Sequence, residues 1–268
     1  MFYFILFFLF ILGLILGSFL NVVIQRQFLA EDWVKGRSRC DYCRHQIAWY
    51  DNIPLLSYLI LGGKCRYCGK KICFTHPLME ILTAFLLSWW YWCFSFIFTL
   101  PSSFKVFQAI FWLVIGVILL AIFVIDLKYL IIPDILIFLF LILVIIYRLY
   151  LGFYGLMQWS DVLDSLVISF ILTSSFYFLY WITKERGLGF GDVKFSFPLG
   201  LLLGWPKILI AIYSAFILGS LAGLAILIIK KKKLKNHRIP FGPFLIMGAL
   251  IGLVFGEKLF QIIFLFNF

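Results

Sequence analysis

Two aspartates lie in strongly apolar stretches of this sequence, where a charged side chain needs a reason. Asp126 falls in 123–127 (FVIDL) and Asp192 in 187–194 (GLGFGDVK). Two carboxyl groups that face each other across one water can hydrolyse a peptide bond, because one stays protonated as the acid while the other accepts a proton from the water. Ionisable groups at membrane depth are often functional. We therefore predict that Asp126 and Asp192 are catalytic; a buried polar anchor or an ion site is the alternative.

The neighbouring carboxylates have simpler explanations than catalysis. Asp134 follows Pro133, and both residues suit the first turn of a helix. Asp126 instead ends a predicted helix, where the helix dipole opposes a negative charge. Glu80 follows Pro77 and is interpreted as another first-turn residue or as a partner for a basic loop residue. Neither an HExxH nor a GxSxG pattern occurs, so metalloprotease and serine-hydrolase chemistry are disfavoured.

Four of the six cysteines form two CxxC pairs with 21 residues between them, Cys40/Cys43 and Cys65/Cys68. Two such pairs can close four thiolates tetrahedrally around Zn²⁺. Gly69, directly after the second pair, suits the positive-φ turn of a zinc knuckle. A four-thiolate site has no open coordination position, so we expect a structural zinc that helps a small domain to fold. A redox-active dithiol pair is the alternative interpretation.

The composition shows which elements must position these residues. Of 268 residues, 64% are hydrophobic and 13% charged, and the mean hydropathy is +1.08. Soluble domains are about half apolar and about a quarter charged, so a soluble enzyme, a disordered chain and a disulfide-stapled secreted domain are excluded. We predict an all-α polytopic membrane protein with about eight transmembrane helices. The apolar runs are 1–24, 78–100, 106–125, 132–150, 163–183, 195–204, 206–229 and 241–263.

The single long polar segment sets the domain organisation. Residues 1–25 are predicted to form the first transmembrane helix, and residues 77–268 a seven-helix membrane core that carries both aspartates. Between the first and second membrane helices, residues 26–76 contain both CxxC pairs. We predict that this segment is a small cytoplasmic zinc-ribbon-like domain.

The positive charge of the chain is explained by membrane topology. The net charge is +11, from 23 Lys and Arg against 12 Asp and Glu. Cytoplasmic loops of membrane proteins carry excess Lys and Arg, and nineteen of the 23 fall on the side of the segment 26–76, including the run 230–238. We therefore expect the cysteine pairs and both aspartates on the cytoplasmic side, both termini outside, and no nucleic-acid partner.

Several motifs, in order along the chain, resemble those of type IV prepilin leader peptidases. These are GxGD-type membrane aspartic peptidases of pilus and type II secretion systems, and they are also N-methyltransferases. The similar segments are 17–26 (GSFLNVVIQR), 38–43 (SRCDYC), 49–54 (WYDNIP), 57–58 (SY), 65–68 (CRYC), 77–80 (PLME), 125–127 (IDL), 132–134 (IPD), 189–194 (GFGDVK) and 240–244 (PFGPF).

This resemblance implies a function as well as a fold. The family cuts the basic leader from type IV prepilins or pseudopilins at the cytoplasmic face of the bacterial inner membrane. It then methylates the new N-terminal residue with S-adenosylmethionine. The family's catalytic aspartates correspond to Asp126 and Asp192, whereas Asp134 belongs to the motif but is not usually the catalytic acid. Residues 77–268 then form a membrane aspartic peptidase core, with the lipid bilayer and the prepilin as partners.

Two departures from the family pattern keep other functions open. Residues 26–28 (RQF) lack the proline of an Arg-x-Pro motif, and 75–77 (THP) lack the arginine of an Arg-Tyr-Pro motif. A peptidase without effective methyl transfer is therefore one alternative. A non-enzymatic membrane assembly protein with a zinc-stabilised domain is the other. The glycine-rich loop of soluble cofactor-binding folds is absent, so the sequence leaves the methyl-donor site unassigned.

Overall fold

The computed structural model describes residues 2–28, 37–94, 103–184, 187–230 and 239–262. Within these ranges the chain is helical and contains no strand beyond two isolated β-bridges, which confirms the predicted all-α fold. The basic run from residue 231 to 238 and the predicted second span beyond residue 94 lie outside the described residues. The helices are α1 (Phe2–Phe28), α2 (Leu56–Ile60), α3 (Thr75–Phe94), α4 (Ser103–Tyr129), α5 (Asp134–Phe153), α6 (Trp159–Thr183), α7 (Phe190–Leu203), α8 (Lys207–Lys230) and α9 (Gly242–Phe260).

Eight of these helices, all except the five-residue α2, match the eight apolar runs of the sequence. Six helices of the described chain are long and apolar enough to cross a membrane: Phe2–Arg26, Lys105–Tyr129, Asp134–Phe153, Trp159–Thr183, Lys207–Ile228 and Gly242–Phe260. The other two are α3 and α7. With 14 residues, α7 is shorter than the roughly 20 residues that a full span requires.

The chain divides into two compact units, Met1–Val124 and Ile125–Phe268. In the first unit, α1 and α3 approach so closely that a Cβ atom at Gly13 would lie 2.4 Å from the Cα of Ala84. Small residues that allow such contact are typical of packed membrane helices. The indole of Trp90 also donates a hydrogen bond to the carbonyl of Ala109 at 2.8 Å, which joins α3 to α4.

In the second unit, α8 and α9 also pack through small residues. Gly248, Gly252 and Gly256 recur every four positions, so they share one face of α9. A Cβ at Gly248 would lie 2.2 Å from the carbonyl oxygen of Ala211, and one at Gly252 would lie 3.0 Å from the Cβ of Ala211. Backbone contact of this kind holds the two helices in a defined register.

The C-terminal end of α7 is held by a buried arginine of α5. Arg148 is 7% exposed and donates to the carbonyls of Leu201 at 2.8 Å and Leu202 at 3.1 Å. Carbonyls in the last turn of a helix have no partner within the helix, and a cation there is favourable. Arg148 therefore fixes one end of the helix whose other end carries Asp192.

Candidate functional site

Asp126 lies in the last turn of α4, as the sequence predicts, and is 5% exposed. The helix ends just beyond it at Leu130, whose φ is 57°. The Asp126 Oδ2 atom accepts a hydrogen bond from the backbone N–H of Gly242 at 2.9 Å. Gly242 is the first residue of α9, so the partly positive end of α9 compensates for a carboxylate at the partly negative end of α4.

Asp192 lies in the first turn of α7 and is 7% exposed. Its Oδ2 atom accepts a hydrogen bond from the N–H of Gly189, the residue that caps the helix, at 3.2 Å. Its Oδ1 atom is buried and has no hydrogen-bond partner among the described residues. An unpaired buried carboxylate oxygen is uncommon and calls for a functional explanation. This oxygen is available to a water molecule or a substrate.

The structure brings the two predicted aspartates together. Asp126 and Asp192 line one cavity of about 360 Å³. Loop 130–132 and the aromatic rings of Tyr180 and Phe190 complete much of its wall. Two carboxyl groups at a shared cavity form an arrangement that can divide acid and base roles between them.

Asp134 also lines this cavity, but it has a different partner. It is the first residue of α5, directly after Pro133, so its predicted first-turn position is confirmed. The ammonium group of Lys194 donates to both Asp134 oxygens, at 2.8 Å and 2.9 Å. This ion pair joins the start of α5 to the α7 segment that carries Asp192. The sequence motifs contain both residues but do not indicate that they pair.

The four cysteines of the two CxxC pairs form one cluster, in which all four Sγ atoms lie within 4.8 Å of one another. A tetrahedral zinc site with Zn–S distances of about 2.3 Å has S–S edges of about 3.8 Å. The Sγ atoms of Cys40 and Cys68 are 3.9 Å apart. The geometry and the chemistry of this donor set therefore both fit Zn²⁺.

The two CxxC segments share one backbone pattern, which explains why they form matched knuckles. The N–H of Cys40 donates to the carbonyl of His45 at 3.0 Å, and the N–H of Cys65 donates to that of Lys70 at 2.9 Å. An antiparallel bridge encloses each turn, Arg39 with Gln46 and Lys64 with Lys71.

The residue after each knuckle adopts the same backbone conformation. Gly69 has a φ of 68°, as the sequence predicts, and Arg44 takes a φ of 59° at the equivalent position. In the second knuckle, a hydrogen bond from the backbone N–H of Cys68 is the main cause that lowers the pKa of the Cys65 thiol to about 7. Burial and hydrogen bonds with the other three thiols raise the pKa of Cys68 to about 11, so metal binding there would release a proton.

Comparisons with known families match both halves of the chain. Residues 11–94 match the Bacterial Peptidase A24 N-terminal domain, and residues 113–228 match the Type IV leader peptidase family. The first match contains the cysteine cluster, and the second contains both Asp126 and Asp192. No solved structure matches the chain.

Curated proteins are similar over most of the length of the chain. A prepilin leader peptidase/N-methyltransferase of Pseudomonas aeruginosa is 31% identical over 273 residues, which cover 93% of this chain and 90% of that protein. A protein of the same name from Aeromonas hydrophila is 32% identical, with the same coverage. One from Myxococcus xanthus is 34% identical over 82% of this chain and 63% of its own length.

Proposed function

This chain belongs to the type IV leader peptidase family, and we propose that it cleaves the basic leader from type IV prepilins or pseudopilins and then N-methylates the new N-terminal residue. The chain matches two relatives over 90% of their length, and both are named prepilin leader peptidase/N-methyltransferase. One structural observation carries the peptidase half: Asp126 and Asp192, on separate helices, line the same cavity.

The proposed cleavage divides acid and base roles between these two aspartates. One carboxylate removes a proton from a water molecule as the water attacks the scissile carbonyl. The other, protonated, donates a hydrogen bond to the carbonyl oxygen and stabilises the charge that develops there. The proton taken from the water then passes to the leaving amine. The unpaired Oδ1 of Asp192 and the Oδ2 of Asp126, held by Gly242, supply the required oxygens.

The cysteine cluster is proposed to hold one structural Zn²⁺. The residues that would hold it are Cys40, Cys43, Cys65 and Cys68, whose Sγ atoms fit a tetrahedral site. Four protein thiolates leave no open coordination position, so the ion serves to hold the two knuckles together. A small domain of residues 26–76, between the first two membrane helices, then depends on the metal for its fold.

We further propose that the enzyme is a multi-pass protein of the bacterial inner membrane, with both sites on the cytoplasmic side and both termini outside. The support is that nineteen of the 23 Lys and Arg residues fall on one side of the predicted spans. A topology reporter fused after Lys71 is expected to read cytoplasmic, and one fused after Gly155 to read outside. The opposite result at Lys71 would invert the orientation.

Co-expression with a prepilin tests the proposed function. The wild type is expected to remove the leader, seen as a gel shift, and to add one methyl group, seen by mass spectrometry. Asp192→Asn should leave the prepilin uncut. Leader loss without methylation would favour a peptidase that lacks methyl transfer, the alternative that the departures at 26–28 and 75–77 keep open. An uncut prepilin with the wild type would favour a non-enzymatic assembly protein.

A further inference from the structure

The polar segment 26–76 contains one long stretch without a charged residue, 52–63 (NIPLLSYLILGG), which lies between Asp51 and Lys64. It belongs to the stretch of chain that connects the first cysteine pair to the second. An apolar stretch of about 10–14 residues is too short to span a bilayer, and it is typical of a core helix or of a re-entrant or interfacial segment. The exposure of the side chains distinguishes between these possibilities.

The apolar face of α2 is exposed instead of being packed in a core. Leu56, Leu59 and Ile60 have the i, i+3, i+4 spacing of one helix face, and they are 54%, 67% and 71% exposed. Ser57, which lies outside this face, is buried. Trp49, in the preceding 3₁₀ turn Trp49–Asn52, is 81% exposed. An exposed apolar patch of this kind marks a surface that meets an apolar partner.

Contacts with α3 and α1 place this segment at membrane depth. The N–H of Leu55 donates to the Glu80 carboxylate of α3 at 2.7 Å, and a Cβ atom at Gly17 of α1 would lie 2.6 Å from the Cα of Glu80. Gly17 is close to the middle of the candidate span Phe2–Arg26, about 5 Å from it at a rise of about 1.5 Å per residue. The hydrocarbon core of a bilayer extends about 15 Å from its middle. Leu55, one side chain away from Gly17, therefore lies at a depth within the core.

The first knuckle lies farther from the middle of the same span. Gln25 of α1 donates a hydrogen bond to the Asp41 carboxylate. Along the helix, Gln25 is about 12 Å beyond Gly17, in the direction away from the middle of the span. The chain therefore descends from the first knuckle to Leu55 and then returns to the second cysteine pair, which is the path of a re-entrant segment.

The backbone of the segment is satisfied internally, as lipid surroundings require. Hydrogen bonds are donated by the N–H groups of residues 53, 55–57, 59 and 61–63. The Ser57 hydroxyl accepts from the N–H of Ile53 at 3.1 Å and donates to the carbonyl of Tyr50 at 2.9 Å. Glu80, which the sequence suggests as a first-turn residue or a partner for a basic loop residue, instead accepts from the backbone amide of Leu55.

We propose that residues 49–60 form a re-entrant segment whose apolar face inserts into one leaflet of the bilayer. Lipid is the occupant of this face, because the face lies beside membrane helices at a depth where hydrocarbon surrounds the protein. Trp49 suits the membrane interface, where tryptophan is enriched. Lys64, exposed at the end of the uncharged stretch, suits the phosphate headgroups.

This insertion has a structural consequence for the cysteine cluster. The segment lies between Cys43 and Cys65 in the sequence, so its anchoring holds both knuckles against the membrane surface. The proposal requires only a membrane protein, and it is independent of the proposed catalytic activity.

Photo-labelling from within the bilayer tests the insertion on the wild-type chain. The full chain is placed in nanodiscs of phosphatidylcholine that carries a photoactivatable diazirine in its acyl chain, and the labelled peptides are identified by mass spectrometry. Lipid adducts are expected on residues 49–60 and on the membrane helix α6, but not on residues 40–46 of the first knuckle. Label on α6 without label on 49–60 would overturn the proposal, and so would equal label on 40–46 and 49–60.

A charge placed on the apolar face should weaken the insertion. Ile60→Asp is expected to lower the lipid label on residues 49–60 by about fivefold or more, because a carboxylate resists transfer into hydrocarbon. Tyr42→Asp is the matched control, since Tyr42 lies in the first knuckle and is 61% exposed. It should leave the label on 49–60 unchanged. Undiminished label in Ile60→Asp, or an equal loss in both variants, would contradict the proposal.

A cross-linker on the face itself distinguishes lipid from the other possible occupants. Ile60→p-benzoylphenylalanine is introduced into the full chain, co-expressed with prepilin and irradiated in intact membranes. A phospholipid adduct is the expected product. A covalent dimer would instead assign the face to a second copy of the chain, and a prepilin adduct would assign it to the substrate; either product without a lipid adduct would overturn the proposal.

Discussion

The Asp126 carboxylate accepts a hydrogen bond from the backbone N–H of Gly242, 2.9 Å away at the start of α9. A Cβ atom at position 242 would lie 2.7 Å from the Asp126 Oδ2 atom, well inside normal contact. Only glycine permits this approach. The glycine of the PFGPF segment 240–244 therefore orients Asp126 in this chain.

Gly242→Ala is expected to lower cleavage by about 10- to 100-fold, because displacing a catalytic group by about 1 Å can have such an effect. The clash is with the end of a side chain that can rotate, so the thermal unfolding temperature should change little. Gly219→Ala in α8 is the matched control, because its Cβ would meet Phe244 at an ordinary 3.5 Å. Wild-type cleavage by Gly242→Ala would show that this contact does not position Asp126.

Asp126→Asn and Asp192→Asn should each lower the rate of leader cleavage by about a thousandfold or more. The reason is that each removes one half of an acid–base pair that acts as a unit, so the double variant should be little worse than either single one. The rate is measured on purified prepilin, and Asp164→Asn serves as the control. Near-normal cleavage by either single variant would refute the pair.

Asp134→Asn and Lys194→Met should have milder effects than these, below about fivefold in kcat/KM. Their ion pair is largely exposed, with side-chain exposures of 72% and 38%, and such pairs contribute about 0.2–1 kcal/mol. A double variant with exchanged charges, Asp134→Lys with Lys194→Asp, should recover part of the lost kcat/KM. Added salt should reduce the difference in kcat/KM between wild type and the single variants. A thousandfold loss in Asp134→Asn would instead make Asp134 part of the reaction.

Purified protein should contain about one zinc ion per chain by elemental analysis, and Cys65→Ser should lose it. The knuckles would then separate, so residues 26–76 should become more sensitive to protease. Methylation should fall more than cleavage, because the peptidase chemistry uses no metal. Cys73→Ser, an exposed cysteine outside the cluster, is the control. A fully active protein without zinc would refute a structural metal site, and full methylation with lost cleavage would contradict a link between residues 26–76 and methyl transfer.

Arg148→Met should lower the unfolding temperature, because it leaves buried carbonyls of Leu201 and Leu202 without a donor. An unsatisfied buried group is destabilising by about 1–3 kcal/mol. The measurement is thermal unfolding in detergent, with Lys258→Met at an exposed position of α9 as the control. An unchanged unfolding temperature would mean that the end of α7 does not depend on this arginine.

Much of the fold could be predicted from the sequence because it depends on local properties. Apolar runs long enough to cross a bilayer indicated the helices, and a proline followed by Asp134 indicated where α5 begins. The two CxxC spacings and Gly69 indicated two zinc knuckles, since each knuckle closes within a few residues. Both aspartates could also be identified from the sequence, because their residue type and their apolar surroundings are local properties.

Contacts between distant segments were decided only by the tertiary structure. The hydrogen bond from Gly242 to Asp126 joins residues 116 positions apart, and that from Lys194 to Asp134 joins residues 60 apart. Arg148, which belongs to no sequence motif, caps the C-terminal end of α7. Spacing along a chain determines which residues share a helix face, but not which helices pack together. The shared cavity of the two aspartates follows from that packing.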